Sequence, residues 1–484
     1  MAQSSRAHSE EFLSDHSYIV YCTAFRRLQQ KAQVFSLETD SAIRSRLTHS
    51  LEVADTGRRL ANDIVGRLRE EKGEDVDLLS VCSVVENACL LHDIGNPPFG
   101  HFGEMAIQKW ARDNGLGVYK EAFGRAPESR THINLLLSDF INFDGNPQGI
   151  RTILHLGAVK TSGLDGKNGL NLTIPTILSV IKYPWHIKPE GKKKIGYFFS
   201  EKDDVETCCF SIGWNKGIKY PLMYIMEASD DICYSLSDIS DGIEKGVITL
   251  ADFCKDLFDE IVYVSGGEDF DKIKSLIEYN SHRRGKSPQK DSLNELTITI
   301  CRYMMKTAAD SFLENYDRIL SGTYEGDLLT NNSSAILKNA IKTVCRKNLY
   351  RSYEAEKVEI SGFRIITGLL THFSTLLSLK KEVFENLLEI KEKGRTKECD
   401  EYKSAPRDIE LRILSRISNN AINAYKSYKA LYESGGYRPF GMGNITDREF
   451  EWWLRFHMII DHISGMTDRF ALETYQMFEG INIA

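Results

Sequence analysis

No two of the ten cysteines in this 484-residue chain stand in a CxxC pair. Cys208 and Cys209 are adjacent, and others, such as Cys82, Cys89 and Cys233, are scattered through apolar segments. That pattern excludes a zinc ribbon and a disulfide framework and fits a reducing, cytoplasmic setting. No run approaches the roughly 18 consecutive apolar residues of a membrane span, and the opening MAQSSRAHSEEF has no apolar signal-peptide core. A GxxxxGK[ST] loop is also missing, which removes the usual device for cleaving at the γ or β phosphorus. Positive charge is not in excess. The net charge of −7 argues against coating nucleic acid by bulk electrostatics and leaves only local basic patches, such as Arg283–Lys290 and Lys338–Arg351, as candidates. No internal repeat is found.

What is present is helical periodicity. Leu51, Ala54, Leu60, Ile64, Val65 and Leu68 recur at helical spacing. Val81, Val85, Ala88 and His92 continue one stripe, which predicts a helix reaching His92 with Gly95 as its C-cap. Further helices are predicted at 223–239, 330–347, 362–379, 408–434 and 447–479. The expected fold class is therefore all-α with a few short strands or hairpins. A hairpin is predicted at 187–200, where Ile195, Tyr197 and Phe199 alternate. Residues 161–171 read as a Gly-rich loop and 279–292 as a basic surface loop. A 1–250 catalytic core followed by a 251–484 helical region is the expected organisation, although no linker marks the boundary.

The run Leu90–Glu104, LLHDIGNPPFGHFGE, carries the chemistry. His92 beside Asp93 offers a metal a neutral nitrogen and an anionic oxygen from one turn. His101 and Glu104 are three apart, so on a helix the carboxylate can hold the imidazole. Two more candidates complete a metal site: His49, near the start of a helix, and Asp230, inside the apolar helix MEASDDICY, with Asp231 its competitor. Buried acids of this kind are costly unless matched to a cation. An HD dipeptide alone is common by chance, and a lone histidine on an apolar stripe is usually a hydrogen-bonded core residue. The order H…HD…D in helical context is far more specific. Two nitrogens and two oxygens suit Mn²⁺, Mg²⁺, Co²⁺ or Fe better than a structural zinc.

The stretches Arg26–Phe35 (RRLQQKAQVF), Arg46–Val53 (RLTHSLEV), His92–Glu104, Met226–Tyr234, Glu359–Leu370 (EISGFRIITGLL) and Ile463–Asp468 (ISGMTD) resemble the HD-domain phosphohydrolases, and among them the bacterial deoxyguanosine triphosphate triphosphohydrolases (dGTPases). The resemblance implies that His49, His92, Asp93 and Asp230 ligate a divalent metal, Mg²⁺ or Mn²⁺ with Co²⁺ also compatible, and that His101 and Glu104 are the catalytic pair. It places Arg46 on the α-phosphate, Lys182 and Lys194 on the triphosphate, Tyr234 against the deoxyribose, and Gln33, Val34 and Glu359 around the nucleoside. Between Lys391 and Arg412 the match weakens. Arg412 is the best basic candidate there, ahead of Lys403 and Arg407. The implied reaction is hydrolysis of dGTP to deoxyguanosine and tripolyphosphate, with His101 protonating the 5′ oxygen and Glu104 favouring its imidazolium. The implied partners are single-stranded DNA as a regulator and copies of the same chain in a hexamer built from dimers. The alternatives are a broader dNTP triphosphohydrolase and a nucleotide or single-stranded-DNA sensor with a weak site.

Overall fold

Twenty-seven residues of uninterrupted helix, Arg46–Lys72, form the longest element. Ser45 and Thr48 cap its start reciprocally, and Gly73 ends it in the left-handed region at φ 69°. The structure is a computed structural model and describes residues 8–157, 169–264, 267–282, 289–330, 333–393, 407–435 and 445–481. Among these residues the fold is all-α, without a strand. An isolated antiparallel bridge joins Ala32 to Ser45. Among the described residues no single helix is long and apolar enough to cross a membrane.

Two hydrophobic cores organise the helices. In the first, Arg46–Lys72 packs on Leu78–Leu91, and Pro221–Glu244 packs against both. In the second, Gly100–Phe123 packs on Tyr353–Phe373 and Arg130–Ile141, and Asp447–Ser464 contributes Trp452, Trp453 and Phe456. Neither core changes over at residue 250. The first draws on residues from Ile19 to Leu349, and the second on Phe99 to Phe143, Ile195, Phe198 and Ile365 to Ala471. The HD run is the crossing between them, because Leu78–Leu91 belongs to the first core and Gly100–Phe123 to the second.

Several expectations are corrected. The hairpin at 187–200 turns at Pro189–Lys192 (N–H to O 3.1 Å), and Gly196 N–H reaches Trp185 O at 3.0 Å, but no ladder follows. Tyr197 enters the first core while Ile195 and Phe198 enter the second, so the apolar pattern serves two cores rather than one sheet face. The span 408–434 is two helices, Asp408–Arg416 and Asn419–Glu433, divided where Ser418 caps the second. The span 447–479 likewise breaks at Thr467, which caps Asp468–Phe478. The C-cap of Leu78–Leu91 is His92 itself. Gly95 is needed for a different reason: a Cβ there would fall 2.0 Å from Gly149 N and 2.3 Å from Gly145 O. Most of the 161–171 loop, together with Arg283, Arg284 and Lys286, lies outside the described residues.

Candidate functional site

The three elements of the first core each deliver one side chain to a common point. His49 comes from the first turn of Arg46–Lys72, His92 from the end of Leu78–Leu91, and Asp230 from the middle of Pro221–Glu244. Each offers a ligand atom, and these atoms lie within 4.8 Å of one another. His49 Nε2 is 3.5 Å and His92 Nε2 is 3.6 Å from Asp230 Oδ1. His92 Nδ1 faces the Cys89 carbonyl at 2.7 Å, which leaves Nε2 toward the cluster. His92 Nε2 and both nitrogens of His49 are buried without a hydrogen-bond partner. Polar atoms left unpaired in an interior are costly, and here they fit a donor set for a cation.

Asp93 stands beside this group, with Oδ1 3.6 Å from His92 Nε2. Its closest partners are Arg46 Nη1, at 2.7 Å from Oδ2, and the Asn96 amide on Oδ1. Burial raises its pKa, but Arg46 and the two imidazoles outweigh burial and hold it at about 2. Asp230 is driven lower still: burial is overcome by His92, His49 and Lys182. Lys182 Nζ sits 3.6 Å from Asp230 Oδ2 and 3.7 Å from Glu227 Oε1. Asp231 is paired with Lys338 at 3.0 Å instead, so Asp230 is the acid that meets the histidines.

The second core supplies the other pair. Gly100–Phe123 begins at Phe99, and its first turn carries His101 and Glu104. His101 Nδ1 meets Glu104 Oε2 at 2.8 Å, while Glu104 Oε1 accepts the Gly145 N–H at 2.8 Å. Glu104 is buried, which raises its pKa, yet His101, Lys194 and the Gly145 N–H lower it overall and keep it a carboxylate. Lys194 is paired with Asp144 at 2.7 Å.

Both pairs open on one chamber of about 700 Å³. Its lining includes Gln33, Val34, Arg46, Lys182, Lys194, Tyr234 and Glu359. Gln33 Oε1 is buried without a partner. The Tyr234 hydroxyl meets that of Tyr350 at 3.0 Å, and Tyr350 donates to the buried Asp238 at 2.5 Å. Glu359 is half-buried, and burial, then Glu356, raises its carboxyl. Arg412 does not join them. It is exposed on Asp408–Arg416, away from the lining, and Arg407 pairs with Glu410 at 2.8 Å. Lys403 lies outside the described residues.

Residues 46–133 match the family model described as "HD domain". The chain is 32% identical over 498 residues to a deoxyguanosinetriphosphate triphosphohydrolase of Yersinia pestis (strain Pestoides F), covering 96% of this chain and 93% of that one. The homologue of Yersinia enterocolitica is 32% identical with the same coverage. A protein named as a probable deoxyguanosinetriphosphate triphosphohydrolase in Pseudomonas aeruginosa is 32% identical over 97% of this chain and 92% of its own length. The chain belongs to the deoxyguanosinetriphosphate triphosphohydrolase family. It is a hydrolase of the HD superfamily.

The lining of this triphosphohydrolase-family chamber also includes Lys342, Arg346, Tyr350 and Arg351, to which the sequence assigned no substrate contact. The first three recur every four residues, a spacing that puts Lys342 and Arg346 on one face of Ser333–Asn348 with Tyr350 just beyond its end. The basic stretch Lys338–Arg351 was visible in the sequence as a charge run. Its spacing was the signal that it faced a pocket.

Proposed function

We propose that the chamber hydrolyses dGTP to deoxyguanosine and inorganic tripolyphosphate. The observation that carries this reading is the shared chamber: His92 and Asp230, which cluster with the buried His49, and the His101–Glu104 pair border one space large enough for a nucleotide. The family names of the relatives point to the same substrate.

His49, His92, Asp93 and Asp230 would hold a divalent ion, Mn²⁺ or Mg²⁺ with Co²⁺ also compatible. Such an ion, when bound, polarises a phosphate oxygen and lowers the pKa of water. Arg46, Lys182 and Lys194 offset charge that builds on the triphosphate oxygens, and Lys342, Arg346 and Arg351 extend the basic lining. Water adds to the α-phosphorus and releases one proton to solvent, from which His101 is later reprotonated, and the bond to the 5′ oxygen breaks. The electron pair leaves with that oxygen, which takes a proton from His101. The new hydroxyl remains on tripolyphosphate. Glu104, held as a carboxylate between His101 and Gly145, fixes the imidazole through Nδ1. Tyr234 stacks against the deoxyribose, where a 2′-hydroxyl would clash. Gln33 and Val34 line the base end, and the Glu359 carboxylate accepts from the N1–H and amino group of guanine. Arg412 has no part in this reading of a single chain. A hexamer of dimers and regulation by single-stranded DNA belong to the same proposal.

The test is incubation with each dNTP and GTP in Mn²⁺, with products resolved by anion exchange. Tripolyphosphate and deoxyguanosine, formed from dGTP far faster than from the other nucleotides, are expected. Equal rates on all dNTPs would convert the assignment to a broad triphosphohydrolase. Pyrophosphate or orthophosphate would overturn the bond assignment.

A further inference from the structure

Three segments far apart in sequence are stitched together behind the chamber. Segment 31–34 carries Gln33 and Val34, segment 93–100 leads into His101, and segment 464–468 joins the last two helices. Lys31 reaches from the first segment to the other two: its Nζ donates to the carbonyls of Asn96 at 2.5 Å and Ser464 at 2.8 Å. Asp468 answers from the third. Its Oδ2 accepts the Ala32 N–H at 3.1 Å, and its Oδ1 accepts the Phe99 N–H at 3.0 Å. Lys31 and Asp468 are 3% and 2% exposed.

The two backbone groups held by Asp468 are not ordinary ones. Ala32 also forms the bridge to Ser45 and directly precedes Gln33. Phe99 is the N-cap of Gly100–Phe123 and sits at φ 62°, a region that bulky L residues avoid. Its side chain makes no capping bond, so the helix start that presents His101 depends on outside contacts. Gly100 follows at φ 52°, where a Cβ would come within 2.8 Å of Arg46 Nη2.

We propose that Asp468 is a positioning residue for the reaction: one buried carboxylate fixes the base rim at Ala32 and the His101 turn at Phe99 together, so that the two ends of the substrate are held in register. The inference rests on the reading of the chamber given above. Charge-assisted bonds to an ionised carboxylate are roughly twice as strong as neutral ones. Asp468 has one oxygen for each N–H. Burial raises the Asp468 carboxyl, opposed first by the Phe99 and Ala32 N–H groups and then by the charges of Arg46 and Lys31; burial also brings the Lys31 pKa down to about 7, against the pull of Asp468. Lys31 and Asp468 each bind backbone groups of the other segments rather than one another, an arrangement better suited to fixing one geometry than to adding stability.

Asparagine offers one oxygen, and its amide then opposes the other N–H. Asp468→Asn in the full, metal-loaded chain is expected to lower kcat on dGTP on the order of tenfold to a hundredfold, the range that small misplacements produce. Mn²⁺ binding should persist, because His49, His92 and Asp230 are carried by other helices. Gln33→Ala should cost less in the Asp468→Asn background than in the wild type, since the rim is already displaced. Additive losses, an unchanged kcat, or loss of Mn²⁺ binding would each overturn the proposal. Amide exchange on the wild-type protein gives an independent reading. Ala32 and Phe99 should be protected, and rapid exchange at either would overturn the proposal even if the variant fails to fold. Failure of the wild type to release tripolyphosphate would sink the reaction assignment and leave the exchange result standing.

Discussion

The two sides of the chamber hold their polar groups in opposite ways. On the first-core side His49 is almost fully buried and His92 nearly so, and His92 Nε2 and both nitrogens of His49 meet no hydrogen-bond partner. On the second-core side the His101 side chain is 71% exposed and satisfied by a single buried carboxylate. On the proposed function, the difference follows from what each side would do: the first hold a metal, the second donate a proton. A ligand set works best when it is preorganised and dry, and unpaired nitrogens are the cost of readiness. A proton donor must be recharged after each turnover, so it has to reach solvent and needs only its orientation fixed.

Substitutions on the two sides should therefore fail differently. Asp230→Ala should have the largest effect: turnover down by about 10³-fold or more, since several kcal/mol of charge stabilisation disappears, with Mn²⁺ binding lost in calorimetry. His101→Ala should lower kcat by roughly 10² to 10⁴ while Mn²⁺ binding and the KM for dGTP stay close to wild type. If His101→Ala also lost the metal, the separation of the two sides would be wrong. Tyr234→Ala should narrow the preference for dGTP over GTP by about tenfold, the scale of one lost steric contact, as read from kcat/KM on both nucleotides. Gly95→Ala acts on the crossing itself and should destabilise by about 1–3 kcal/mol through overpacking against Gly149, seen as a fall in Tm.

The smallest effect concerns the second core away from the chamber. Asp139 is buried, accepts from Phe199 N–H at 2.8 Å and faces His457 at 3.1 Å. Burial lifts its pKa to about 6, against the Phe199 N–H and Arg151. A carboxyl raised in the folded state contributes stability that is complete below the unfolded value of 3.8 and is lost as pH rises through about 6. Thermal melts of Asp139→Asn should show less pH dependence between pH 4 and 7 than the wild type. Identical profiles would remove Asp139 as the source.

The sequence made the local chemistry legible. His92, Asp93, His101 and Glu104 fall within one run, and their roles follow from spacing of three or fewer. Asp230 stood out because a buried acid on an apolar helix needs a reason, whereas His49 was named as a ligand only through the H…HD…D order and the family resemblance. The division of labour between two cores was not legible, because Tyr197 and Phe198 are neighbours in sequence and enter different cores. The long Gly100–Phe123 helix was missed because glycines at 100, 103, 115 and 117 mask its periodicity. Lys342, Arg346 and Tyr350 could be read in sequence only as part of a basic patch, and only the position of Ser333–Asn348 puts them on the chamber. Lys31 and Asp468 are separated by most of the chain, and nothing in local spacing pairs them.

If the proposed reaction holds, a molecule partitioned in this way stands one substitution from being a receptor. Loss of the exposed imidazole at position 101 would leave the buried cluster, the basic lining and the base rim in place, with no group to release the alcohol. The descendant would recognise and retain a nucleotide instead of consuming it. Because that imidazole contributes little to either core, folding would place few obstacles in the path, and such silent paralogues should arise from this architecture more readily than from one whose proton donor is also a structural residue.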